Sequence, residues 1–173
     1  MKVENLLVYR VFTPDKGKDL KVGEFISTPT ERDNSGLPIK INAEELLEDI
    51  RKESYENLPS RNSVLFVFPY DENIVREWVG LMSRDNDCDY ILCTLRITGD
   101  IIWCNQDNYT NAGQFDNPQI KQNYATKYWS TAGDTYDSFE TPEGLFQGKA
   151  VIEKIEQKHY TPQGNDVFDD LHR

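Results

Sequence analysis

Arg10, Arg61, Ser63 and Glu143 are the residues of this chain whose types and settings could build a site. Arg10 interrupts the apolar run Leu6-Leu7-Val8-Tyr9-Arg10-Val11-Phe12. Arg61 and Ser63 stand in the polar turn Leu58-Pro59-Ser60-Arg61-Asn62-Ser63, which runs straight into Val64-Leu65-Phe66-Val67-Phe68, and Glu143 opens a later strand-like stretch. A guanidinium is always charged and offers phosphate or carboxylate a bidentate fork, so two such arginines at strands point to a small anionic ligand. Binding residues are often carried where a rigid strand meets its loop. The three segments are far apart in sequence, and only a sheet that brings their strands to one cleft would join them.

Other chemistries are excluded by residue supply. The two histidines, His159 and His172, both lie near the C-terminus, and there is no G-x-S-x-G elbow, which argues against Ser-His or Cys-His hydrolysis. Cys88, Cys93 and Cys104 lack the close pairing of zinc ligands, so no metal is expected. Neither G-x-G-x-x-G nor G-x-x-x-x-G-K-[ST] occurs, which removes the Rossmann turn and the P-loop.

The elements that must position these residues read as follows. Thr13-Pro14-Asp15-Lys16-Gly17 ends the first strand, a short segment spans Leu20 to Ile26, and Ser27 to Lys40 has loop composition and the length of a flap over a site. Asn42 is placed to cap a helix in which Ala43, Leu46, Leu47 and Ile50 share one face, while Glu44, Glu48, Asp49 and Lys52 share a charged, solvated one. Asp71 caps a second helix whose Ile74, Val75, Trp78, Val79 and Met82 form an apolar stripe, which makes Trp78 core rather than a ligand platform. Tyr90 to Ile97 and Ile101 to Cys104 read as two strands joined by a tight turn at Thr98-Gly99-Asp100. Asn105 to Thr141 is polar, with one helix near Pro118 to Tyr128, and Glu143 to Ile155 reads as a turn-interrupted pair of short strands.

The 173 residues suit a single domain, 1–158, followed by a polar C-terminal tail, 159–173. A chain of this size buries roughly 70% of its unfolded surface and needs no disulfide staple. An odd number of cysteines, two of them in apolar runs, and the lack of a long apolar segment lead to the expectation of a soluble cytoplasmic protein with free thiols and no membrane partner. The formal charge of −11 argues against nonspecific attraction to duplex DNA.

Tyr9-Arg10-Val11, Leu20-Lys21-Val22-Gly23-Glu24-Phe25-Ile26, Pro59 to Phe66, Tyr128-Trp129 and Glu143 to Lys149 give the chain a resemblance, over roughly residues 5 to 156, to the ADP-ribosyltransferase superfamily, and more closely to small bacterial and phage proteins thought to share its fold. The resemblance implies an α+β fold with a split, mixed, mostly antiparallel sheet and flanking helices. It also implies NAD as substrate and an intracellular macromolecule as acceptor of ADP-ribose. By resemblance, Arg10, Ser63 and Glu143 take the three site positions, with Glu143 gripping the ribose 2′-hydroxyl as the nicotinamide bond breaks. Arg10, beside Tyr9 and helped by Arg61, would hold the two phosphates. Ser63 would bond the ribose or orient Glu143, and Tyr109, Tyr128 or Trp129 would stack on nicotinamide. Position 141 is threonine where arginine-directed transferases carry Gln or Glu, and Glu140 competes with Glu143 as the catalytic carboxylate.

A degenerate relative that binds a nucleotide without turning it over fits the same residues. A different class also fits the acidic composition: a non-enzymatic interaction protein, such as a phage-type inhibitor or nucleic-acid mimic, that meets a basic protein partner through Glu44, Glu48 and Asp49.

Overall fold

The computed structural model describes residues 1–28 and 38–162, with the side chains of 38–42 left aside. The elements in order are β1 (Lys2–Phe12), α1 (Pro14–Gly17), β2 (Phe25–Ile26), α2 (Pro38–Ser54), a 3-10 turn (Arg61–Ser63), β3 (Leu65–Pro69), α3 (Glu72–Ser83), β4 (Cys88–Asn105), α4 (Gln106–Gln114), α5 (Pro118–Ser130) and β5 (Pro142–Tyr160). The fold is α+β. Its five-stranded sheet has the order β2-β5-β3-β1-β4, and β5 also pairs with β4.

All of these pairings are antiparallel, where a mixed sheet was expected. The reason is the length of β5. It pairs with β4 from Pro142↔Asn105 to Tyr160↔Cys88, and its first residues also pair with β3 through Leu65↔Phe146 and Val67↔Gly144. With β1 joined to both β3 and β4, the pairings of β5, β3, β1 and β4 form a closed ring, which removes free edges there. Inside it pack Val8, Leu65, Val67, Leu95, Ile97, Ile101, Trp103, Phe146 and Ile152. Outside it, α2, α4 and α5 cover Val64, Cys104 and Leu145 with Leu47, Tyr128 and Trp129, while α3 covers Tyr9, Phe68 and Leu92 with Val75 and Val79.

A ribbon this long must bend to close. The expected turn at Gly99 and the expected break at Gly148 are that bend: β4 and β5 are each continuous, and Gly99 (φ 153°) faces Gly148 (φ 147°) across the ladder. A Cβ on Gly99 would sit 2.3 Å from the Gln147 carbonyl oxygen, so the two strands approach there at backbone distance. Register shifts between Val3 and Leu6 of β1, where Asn5 takes φ 55°, and between Thr94 and Leu95 of β4 add further twist.

Local signals account for the helices. The Asp71 side chain accepts from Asn73 N at 2.9 Å and starts α3, on which Trp78 packs 4.6 Å from Phe68, centroid to centroid, while Met82 is exposed. Asn117 starts α5 in the same way, and Asn105 starts α4, a helix the sequence reading missed because its Asn, Gln and Thr give little apolar period. Helix α2 begins at Pro38, so Asn42 lies within it rather than capping it. The expected segment from Leu20 contributes only Phe25–Ile26 as strand, and most of the proposed flap, 29–37, lies outside the described residues. His159 and Tyr160 belong to β5 and not to a tail, and residues 163–173 lie outside the description. Cys88, Cys93 and Cys104 are free thiols. Among the described residues no helix is long and apolar enough to cross a membrane.

Gly99→Ala should lower stability by about 1–3 kcal/mol, because the added Cβ meets backbone at a φ that side chains rarely adopt. Thermal unfolding checks this, and an unchanged Tm would mean that the bend does not depend on glycine.

Candidate functional site

The turn before β3 is built to send Arg61 inward. Pro59 disfavours a helical backbone at Leu58, where the chain bends after α2. Ser60 accepts from Asn62 N at 3.3 Å, and Ser63 N and Oγ return to the Ser60 carbonyl at 3.1 and 3.2 Å. Arg61 is then 6% exposed and Glu143, at the start of β5, 4%. Its Nε and Nη2 donate to the two oxygens of Glu44 on α2 at 3.0 and 3.1 Å, a bidentate pair. Its Nη1 donates to Glu143 Oε1 and to the Tyr128 hydroxyl, which itself donates to Glu143 Oε1 at 2.7 Å. The guanidinium carbon lies 4.3, 4.6 and 5.1 Å from the ring centroids of Tyr109, Phe66 and Tyr128.

Burial opposes the charge on Arg61, yet Glu143, Tyr128 and Glu44 outweigh it and raise its pKa well above the ordinary value. Burial likewise raises the Tyr128 phenol, against the opposing pull of Arg61. Cys104, buried beside this group, is pushed up to about 12 by burial first and by Glu143 second, so it stays a thiol and is no nucleophile at neutral pH.

A second arrangement lies where β1 leaves β3. The β1–β3 register covers Val8↔Pro69 and Tyr9↔Phe68, and beyond it β1 stays with β4 through Arg10↔Cys93 and Phe12↔Ile91. In the gap, Arg10 Nη1 donates to the Phe66 carbonyl at 2.6 Å, and its guanidinium carbon lies 5.0 Å from the Phe12 ring centroid. Just upstream of β3, Gln147 Nε2 of β5 donates to Ser63 O at 3.2 Å and Oγ at 3.4 Å. Gln147 was not singled out from the sequence, because only the register of β5 on β3 places it opposite the turn.

The structure thus gathers Arg61, Tyr109, Tyr128 and Glu143 into one buried cluster with Glu44, and leaves Arg10 at the Phe66 carbonyl and Ser63 in the turn before β3. Arg61 is committed to carboxylates, and Tyr128 to Glu143, beneath the surface. Trp129 is 1% exposed and donates its Nε1 to the Leu47 carbonyl at 2.8 Å. Tyr9 packs in the α3 core, 4.6 Å from Tyr70 between centroids. Glu140 is exposed on the rim of another open cleft, of about 610 Å³, with Arg76, Asp85 and Asp107. Among the described residues no group of three or more His, Cys, Asp or Glu is set to hold a metal ion. The charged face of α2 is not simply solvated: Glu44 binds Arg61, and Glu48 accepts from Arg51 at 2.8 and 3.0 Å and from Ser60 Oγ at 2.9 Å. Of the three carboxylates considered for a basic partner, Asp49 alone is exposed.

Residues 32–158 match the family described as Protein of unknown function (DUF2441), and the chain belongs to that family. No curated protein matches it.

Replacing Arg61 by Met should cost about 3–5 kcal/mol, because Glu143 and Glu44 remain buried without their cation. Adding Glu143→Leu should recover part of that loss in urea unfolding, and strict additivity of the two changes would show that the pair is not coupled. The Glu48 carboxyl is held below its ordinary 4.5 chiefly by its hydrogen bond to Arg51, so its stabilisation is present above that value and is lost as pH falls through the lower, folded one. Glu48→Gln should therefore flatten the acid limb of a stability–pH curve, and an unaltered limb would count against this.

Proposed function

We propose that this DUF2441 protein is an ADP-ribosyltransferase-like protein that takes NAD as its substrate where β1 parts from β3, and passes ADP-ribose to an intracellular macromolecule. The observation that carries the reading is Arg10. Its guanidinium lies in the gap between two strands at the Phe66 carbonyl, and in the turn before the same strand Ser63 accepts from Gln147 of β5. Support also comes from strand order, since β3, preceded by Ser63, lies between β1 with Arg10 and β5 with Glu143.

The chemistry follows from those types. Arg10 would neutralise the diphosphate of NAD in a protein of charge −11. On transfer, the bond from ribose C1′ to the nicotinamide nitrogen breaks and nicotinamide leaves neutral with the electron pair. Positive charge grows on the ribose, and an acceptor lone pair closes the new bond at C1′ while its proton passes to a base. A carboxylate beside the ribose stabilises that charge, the part assigned to Glu143, while Ser63, in the turn before β3, would bond the ribose.

One observation favours a second reading, nucleotide binding without transfer. The Glu143 carboxylate is paired with Arg61 and Tyr128, and turnover requires that pairing to open.

Melting of the protein with millimolar NAD tests both. At one hundred times its Kd a ligand adds about 2.7 kcal/mol, which moves Tm visibly. The expected result is a rise that Arg10→Ala abolishes, with nicotinamide release that Glu143→Gln abolishes while keeping the rise. A rise without release supports binding alone, and no rise at all removes NAD from this site.

A further inference from the structure

The surroundings of Arg61 have the composition of a receptor for an organic cation. Three aromatic rings, of Phe66, Tyr109 and Tyr128, lie within 5.1 Å of the guanidinium carbon, and two carboxylates, of Glu44 and Glu143, take its donors. Ring faces attract cations through their quadrupole, most strongly when water is excluded, and cages of this kind select diffuse cations over compact, strongly hydrated ones. The walls come from four separate places, α2, α4, α5 and the β3–β5 ladder, whereas the cation comes from a three-residue turn. The Arg61 side chain can therefore be removed without deleting any residue of the walls, and its two carboxylate partners then lack their cation. One positive charge against two negative ones also leaves the slot short of cation rather than over-filled.

We propose that the Phe66, Tyr109, Tyr128, Glu44 and Glu143 cage is a binding site for a flat, delocalised organic monocation of the guanidinium or pyridinium class, and that Arg61 is the chain's own occupant of it. Arg61 then acts as an autoinhibitory contact: an external cation reaches Glu143 only when the turn 61–63 withdraws. The cage stands on its own geometry. It touches the NAD reading at one point, because the nicotinamide ring of NAD is a pyridinium cation, and would engage Glu143 only by displacing Arg61.

The test is Arg61→Ala, melted alone and with ethylguanidinium or 1-methylnicotinamide at low millimolar concentration, with urea and methylammonium as controls and the wild-type protein alongside. The expected result is a lower Tm for the variant and a saturable rise of several degrees with either flat cation, absent with both controls and absent in the wild type. Adding Glu143→Gln should weaken that rise by tenfold or more in the apparent Kd. Should Arg61→Ala not fold unaided, soluble recovery on refolding becomes the readout, and recovery that depends on a flat cation supports the cage. No saturable rise or recovery with either cation, or an equal one with urea, methylammonium or the wild type, overturns it. The cation assay uses no nucleotide, so its failure is separable from a failure of NAD to bind through Arg10.

Discussion

A guanidinium removed from water must have its donors satisfied, and the rest of the helical half of this protein is arranged around meeting that demand for Arg61. Desolvating a charge costs several kcal/mol unless partners with good geometry replace the water. Here the partners come from α2, α5 and β5, with α4 adding a ring face, so elements distant in the chain are tied to a single turn of three residues. The same contacts set the start of β5. Glu143 faces the helices beside Leu145, which forces Gly144 and Phe146 to the opposite face, inside the ring of strands. Gly144 is needed there, since a Cβ would lie 2.8 to 2.9 Å from Val67, Ile101 and Trp103.

The ring and the buried cluster are therefore one problem in register. A slip of one residue in β5 would turn Glu143 into the apolar interior and carry Phe146 out of it. The glycine pair 99 and 148 allows the ribbon to bend without such a slip, because backbone can approach backbone where no Cβ intervenes. Closure by way of β3 then brings Gln147 to Ser63, and the early departure of β1 from β3 leaves the space that the Arg10 side chain enters.

What was legible in the sequence divides along the range of the signals. Short-range ones were sound: Asp71 caps α3, Pro118 opens α5, Trp78 packs half-buried against the core, and β3 follows the turn that carries Arg61. Glycine misled where it serves as a hinge within a strand, since Thr98-Gly99-Asp100 has the composition of a hairpin turn and only the long pairing with β5 keeps it extended. The charged face of α2 misled for a related reason. Glu44 and Glu48 have the spacing of a solvated stripe, and their inward role depends on Arg61 and Ser60 reaching them from outside the helix. Nor does residue type separate the two arginines of the proposed site. Arg10, within a strand, and Arg61, at a strand mouth, are both cations set against apolar runs, yet one bonds a backbone carbonyl and the other a pair of carboxylates.

That difference decides what each arginine can do for an anion. A carboxylate-paired guanidinium presents little net positive potential, and a phosphate approaching Arg61 would meet Glu44 and Glu143 at the same distance as the cation. Arg10 donates to the Phe66 carbonyl, and a carbonyl satisfies a donor without cancelling its charge. In a chain with an excess of eleven acidic groups, positive potential survives only where a cation is kept away from carboxylates. The split between β1 and β3 offers Arg10 a main-chain oxygen. Arg10 and Arg61 thus meet β3 at the same residue in different ways, the one through the Phe66 carbonyl and the other through the Phe66 ring.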